Sequence, residues 1–432
     1  MKHVAGRTLH RWWIVGVVAL VLAMLASIAL LRSDGKEEEY HFGTLLTDHE
    51  RAPREHEKGI RIAHLEVRWD HFEPQDDAFD AAYIVRLRDT IRKFEKAGME
   101  IEVGITIHSP PAWLKEHPDS DFVNQHGAHF TDAPNVVFSQ SVRREVQEYI
   151  DKFNSELGLH NFWAVRIGVS ETGEFSYPPA DLGEEGTNSF WAFDRNAQSA
   201  TRNSGRPPGI PPNPLPGWEP GDRTYKGRNV ERADVAAWSD WYVQAIAQTV
   251  NWQIRHYKSL GYQGKIKILV PGTGVRPSEH EKAVNSYLDG TVLPDLMGRG
   301  VSFYKSLAEI RGSENLEIVS TSLVDGSGEP NNNGCAPSDA GEDILDPSNT
   351  VVDDWSSVRW IANLARYYGF DLNGESAGPH IRPYYDGVME DAALQMESCG
   401  LKGLMWAFDE NLYDGTPGSS LQEYSAVIER SN

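Results

Sequence analysis

Three glutamates, Glu171, Glu174 and Glu375, carry the clearest chemical signal in this sequence. The first two stand in residues 163–179, WAVRIGVSETGEFSYPP, where the apolar run 164–169 reads as a buried strand opening into an aromatic, proline-rich turn. Burying an unpaired carboxylate is costly, so both acids are expected at or beyond the end of that strand. Glu375 stands in a second such arrangement, residues 368–378, YGFDLNGESAG, just past a short apolar run. Two carboxyl groups at strand ends, far apart in sequence, suit glycosidic-bond hydrolysis in a parallel α/β barrel. One carboxylic acid must protonate the leaving oxygen, and one carboxylate must attack or activate water. A glutamate at a strand end is more often an ordinary solvated loop residue, so the reading depends on the fold.

The elements that must position these acids alternate along the chain. Strands are expected at residues 41–46, 60–69, 100–107, 163–169, 265–270, 316–324, 368–373 and 403–408. Helices are expected over 83–96, 141–154, 234–260, 354–367 and 386–399, the fourth with an Asp cap. In the first of them Ile84, Leu87, Ile91 and Phe94 recur at helical spacing and Gly98 supplies the stop. Eight strands with helices between them predict a (β/α)8 TIM barrel over residues 40–432. Residues 175–232 are too long for an ordinary connection after the fourth strand. Their PPGIPPNPLPGWEPG segment fits neither helix nor central strand. A packed lid over the C-terminal mouth is expected of this insertion, with a disordered linker between two domains as the alternative.

Composition narrows the function. The chain of 432 residues is 40% hydrophobic and 10% aromatic, enough for one large core. Its 13 Trp residues are sugar-stacking candidates, although core filling accounts for most of such a number. A net charge of −22 argues against nucleic acid as a partner. No Gly-rich phosphate loop, zinc-type Cys/His spacing or EF-hand pattern occurs, so no cofactor and no metal is expected.

Residues 12–31 are uncharged, follow Lys2, Arg7 and Arg11, and precede the run Lys36 to Glu39. That length spans a bilayer, and the flanking charge puts the bulk of the chain outside the cytoplasm. Residues 1–39 therefore read as a cytoplasmic stub, a transmembrane signal anchor and a linker. A small-residue site near 27–29 leaves a cleaved signal and secretion as the alternative. Cys335 is expected in a loop on one barrel face and Cys399 at a helix end on the other, which predicts two free thiols. Nothing in the sequence speaks to oligomeric state.

Residues 64–80, HLEVRWDHFEPQDDAFD, resemble the second strand and loop of the family 42 β-galactosidases. Residues 104–114, GITIHSPPAWL, resemble the PPAWL turn after their third strand, which brings Trp113 toward the substrate. Residues 404–415, LMWAFDENLYDG, resemble their eighth strand, whose Trp, here Trp406, floors the sugar subsite. Residues 165–178, VRIGVSETGEFSYP, resemble instead the β-amylase fourth strand, with its acid in a GE-x-x-YP turn. The resemblance implies a barrel glycoside hydrolase. Retaining barrel enzymes of the large clan carry Asn-Glu at the fourth strand's end, where this chain has Ser170-Glu171. That departure moves the implied acid to Glu174, with Glu171 as the alternative.

Apolar neighbours, Phe175 and Tyr177, suit Glu174 to the acid role, with Tyr177 near the sugar. Asn373, Gly374 and Ser376 surround Glu375 with small or polar groups, suiting it to nucleophile or base. His64, Glu66 and Arg68 alternate on one strand face and reach either sugar hydroxyls or a buried ion-pair network. Asn373 and Asp409 are further substrate-contact candidates. An inactive membrane-tethered carbohydrate-binding protein and an extracytoplasmic scaffold are the competing readings, and inversion or retention stays open.

Overall fold

The computed structural model describes residues 40–181, 188–201, 205–311, 315–328 and 334–432. The expected membrane segment, residues 12–31, lies outside the described residues. Among those described, no helix is long and apolar enough to cross a membrane.

Eight parallel strands close into a barrel: β1 (His41–Thr44), β2 (Ile62–Arg68), β3 (Glu100–Thr106), β4 (Ala164–Ile167), β5 (Lys265–Val270), β6 (Leu316–Leu323), β7 (Asp371–Ser376) and β8 (Gly403–Trp406). Each strand pairs with its neighbours in sequence, and β8 closes on β1 through His41–Gly403 to Thr44–Trp406. A helix follows every strand: α1 (Ala52–Glu57), α2 (Ala81–Ala97), α3 (Gln140–Leu157), α4 (Arg232–Ser259), α5 (Phe303–Glu309), α6 (Ser357–Tyr368), α7 (Val388–Cys399) and α8 (Leu421–Ser431). The barrel expectation therefore holds.

Local signals explain most boundaries. Asp80 caps α2 by accepting from the Tyr83 amide, and Gly98 ends it in the left-handed region at φ 83°. Ser356, not an Asp, caps α6 through the Arg359 amide. α6 runs through Tyr368 and stops at Gly369, so β7 starts at Asp371 rather than at residue 368. Glu375 consequently sits within β7, not past it.

The described parts of the 175–232 insertion pack onto the barrel and do not link two domains, since residues 40–432 form one compact unit. Phe190 and Trp218 meet Trp238 edge-on, and Tyr177 stacks on Tyr242 with ring centroids 4.1 Å apart. Trp238 and Tyr242 belong to α4, so the insertion extends the barrel core sideways over that helix. Trp indole groups bond to proline carbonyls here, Trp191 to Pro178 and Trp241 to Pro211. Proline has no amide hydrogen to offer a sheet, but its carbonyl still accepts.

Cys335 and Cys399 form a disulfide, with Cα atoms 4.8 Å apart, where free thiols were expected. Cys335 lies in the connection from β6 to α6, and its amide reaches the Cys399 sulfur at the end of α7. Closing a loop with a sequence separation of 64 residues stabilises the fold by about 4 kcal/mol in the chain-entropy picture.

Candidate active site

The barrel interior is charged. Lys267 on β5 pairs with Glu102 on β3; the Arg166 Nε on β4 lies 3.5 Å from that same glutamate. The Arg166 Nη2 then donates to Glu375 on β7. A second pairing, Lys265 with Glu317, is completed by the Asn373 amide. Glu102, Lys267, Glu317 and Asn373 are each no more than 2% exposed. Buried ions cost several kcal/mol each unless paired, so the pairing of opposite charges drawn from β3, β4, β5 and β7 permits this interior.

Above this layer, at the C-terminal ends of the strands, lies a cavity of about 510 Å³ lined by Glu66, Glu174, Glu375, His64, His108 and Arg166, among others. Glu174 enters it from a turn that folds back onto β4. A Cβ at Gly168 would lie 1.8 Å from the Gly173 carbonyl oxygen, and Gly173 has φ 74°, so glycine is required at both. The turn is closed by Val169 and Ser170 amides donating to the Glu174 carbonyl. Thr172 and Thr321 hydroxyls donate to the two carboxylate oxygens at 2.7 and 2.8 Å.

Burial raises the Glu375 carboxyl above its ordinary range, against the pull of Arg166 and with the charges of Glu174 and Glu102 adding to the rise. The expected polar, ionising surroundings of Glu375 are not found; the guanidinium of Arg166 is its partner instead. Burial also raises Glu66. His64 is held well below its ordinary range by burial and by the Arg166 and Lys267 charges. Its Nδ1 accepts from the Leu46 amide, so the neutral ring carries its proton on Nε2, beside Gly104.

Of the sequence-derived candidates, Glu174, Glu375, His64 and Glu66 meet in this cavity and the others lie elsewhere. Glu171 does not line the cavity; its Oε1 lies 3.7 Å from Arg299. Tyr177 is wholly buried against Tyr242 and donates to its carbonyl, so it neither touches the sugar site nor borders Glu174 there. Trp406 is buried on the outer face of β8, between Tyr384 and Tyr424, and donates to Ser419. Strand alternation sends Met405 and Ala407 inward and Trp406 outward. Trp113 packs edge-on to Trp69 and donates to the Glu73 carbonyl. Arg68, at the exposed end of β2, forks onto Asp70. Asn373 lies in the ionic floor beside Glu317. Asp409 is held by Arg51 and the Asp48 amide beside β1.

Several cavity residues escaped the sequence reading. Arg166 was a lone charge inside an apolar strand, and that oddity was the available signal. His108 lies two residues past β3, while Phe408, with His380 stacked on it, follows β8. Arg299 comes from a connection with no sequence signature.

The geometry agrees with the comparisons. The glycoside hydrolase family 42 β-galactosidase model matches residues 46–162, which contain β2, β3 and the PPAWL turn. No curated protein sequence matches the chain. The β-amylase catalytic domain of Paenibacillus polymyxa superposes with a TM-score of 0.60 at 15% identity, covering 91% of this chain and 99% of that one. The β-galactosidases of Marinomonas ef1 and Halorubrum lacusprofundi give TM-scores of 0.55 and 0.52 at 12% and 13% identity. The chain covers only 59% and 58% of those two proteins. Identities this low show a shared fold. The chain resembles a barrel glycoside hydrolase of the family 42 type, and the family match supports glycosidase activity without specifying a substrate.

The cavity histidines set a pH dependence. Burial, with the Arg166 and Arg68 charges, lowers the His108 pKa to about 4. The unfolded chain takes up this proton near pH 6.5, so the stability tied to neutral His108 is complete above that pH and is lost as pH falls toward 4. At 1.36 kcal/mol per unit this is up to about 3 kcal/mol. Urea unfolding at pH 7 and pH 4.5 should show a larger loss for the wild type than for His108→Asn. Equal losses in the two proteins would contradict it.

Proposed function

We propose that this protein is a glycoside hydrolase that cleaves an O-glycosidic bond of an oligo- or polysaccharide with Glu174 and Glu375 as its carboxyl pair. The observation that carries the reading is that both carboxyls line one cavity at the C-terminal mouth, delivered by β4 and β7. The Glu174 charge adds to the rise of the Glu375 carboxyl. In a TIM barrel this face is where chemistry is done.

Glu375 is the nucleophile or base: its contact with the Arg166 guanidinium favours the charged form and opposes the rise that burial imposes on its carboxyl. Glu174 is the proton donor, its carboxyl oriented at both oxygens by threonine hydroxyls. Glu174 is preferred to Glu171 because Glu171 is turned toward Arg299 and does not line the cavity. The neutral His64 Nε2–H and the Glu66 carboxyl offer a donor and an acceptor to sugar hydroxyls. Phe408, backed by His380, offers the stacking face that Trp406 does not. An inactive sugar-binding or scaffold role gains nothing from a cavity in which both acids are present.

A chromogenic glycoside panel and reducing-end assays on residues 40–432 test this reading. Glu375→Gln should lower kcat by several orders of magnitude. It should also cost up to about 3 kcal/mol of stability, because it strands the Arg166 charge. Glu174→Gln should slow substrates with poor leaving groups far more than activated aryl glycosides, which need little protonation. Full activity in either variant sinks the assignment.

We further propose that residues 12–31 remain as a membrane anchor with the barrel outside the cytoplasm, as their length and flanking charges favour. The Cys335–Cys399 disulfide suits an oxidising compartment. The native protein should resist alkaline extraction from membranes and keep its N-terminus; a mature chain beginning near residue 30 would overturn the anchor.

A further inference from the structure

The cavity wall beside Glu174 carries a cation that the hydrolytic pair does not use. Two guanidinium groups line the cavity among the described residues, Arg166 and Arg299. Arg166 is occupied by Glu102 and Glu375. Arg299 is paired more loosely. Its Nη2 donates to the Ser176 hydroxyl at 3.1 Å and stands 3.7 Å from the Glu171 Oε1, an ion pair with no hydrogen bond in it. The buried Arg299 Nε has no hydrogen-bond partner, nor has the buried Glu171 Oε2.

This arginine is rigidly placed. Its carbonyl accepts from the Tyr177 amide at 2.9 Å, which ties it to the segment that carries Glu174. A Cβ at Gly298 would lie 1.9 Å from the Ser189 carbonyl oxygen, so the chain before Arg299 is pressed against the insertion. A neutral sugar hydroxyl gives a guanidinium one acceptor, whereas a carboxylate or sulfate meets its fork with two. The overall charge of −22 does not forbid an anion here, because exposed charges beyond roughly 8 Å are screened at physiological salt.

On the reading that Glu174 and Glu375 hydrolyse a glycosidic bond, we infer that Arg299 recognises an anion on the saccharide, and that the substrate is an acidic sugar, either a uronide or a sulfated glycoside. Its guanidinium receives the carboxylate or sulfate ester beside Glu174, and so sets which ring faces the proton donor.

Matched aryl glycosides on residues 40–432 test this: a glucuronide against a glucoside, a galacturonide against a galactoside, and a 6-sulfated galactoside as the sulfate arm. Reducing-end release from acidic and neutral polysaccharides runs alongside. At least one acidic substrate should exceed its neutral counterpart in kcat/KM by about 100-fold or more, the scale of a lost charged hydrogen bond. Arg299→Gln should lose most of that preference, chiefly through KM, and Arg299→Lys should recover part of it. The arm that responds separates carboxylate from sulfate. Cleavage of neutral substrates only, or an acidic preference that survives Arg299→Gln, overturns the inference and leaves the glycosidase reading standing. Cleavage of no substrate in either assay counts against the glycosidase reading itself, and this inference falls with it.

Discussion

The buried chain of charge Lys267–Glu102–Arg166–Glu375 is the constraint around which the barrel interior is organised. Two cations and two carboxylates from four strands alternate along this chain of contacts, and each charge has its partner on another strand. Their net charge is zero, but removing any one leaves a neighbour uncompensated in a medium that solvates ions poorly. An apolar filling would stabilise such a barrel at least as well. What the ionic filling adds is position: a carboxylate bonded to a guanidinium that Glu102 also holds has few orientations open to it. Glu375 thereby points into the cavity from within a strand rather than from a mobile loop.

Glu174 is fixed by a different device. The β4 turn closes on two glycines, Gly168 and Gly173, and the carboxyl it presents is steadied by Thr172 and Thr321. One acid is thus held by charge from below and the other by backbone geometry and hydroxyls from above. The insertion after it supports this arrangement from the side. Its aromatic residues pack on Trp238 and Tyr242 of α4, and its Tyr177 amide ties Arg299 to the same segment. Barrel, turn and insertion converge on one wall of the cavity.

The barrel was legible because strand and helix periods alternate cleanly, and because stops such as Gly98 and Gly369 act locally. Glu174 and Glu375 were legible as acids next to apolar runs. What failed was orientation. Trp406 and Tyr177 have the right chemistry for a sugar site, but strand alternation and aromatic stacking bury them in the core. Arg166, Glu102 and Lys267 could not be joined from sequence, because their pairing depends on the register of β3, β4 and β5. The disulfide was misread for a related reason: the path of the loop before α6 is a tertiary fact that Cys spacing does not encode.

The most direct test of this account is a double-mutant cycle on kcat/KM with Arg166→Met and Glu375→Gln, each protein checked for folding. If Arg166 acts by holding Glu375, the single Arg166→Met change costs about 100-fold or more, and the double variant is no worse than Glu375→Gln alone within a few-fold. Losses that multiply would mean that Arg166 works independently of Glu375, and the ionic chain would then not be what positions the reacting carboxylate.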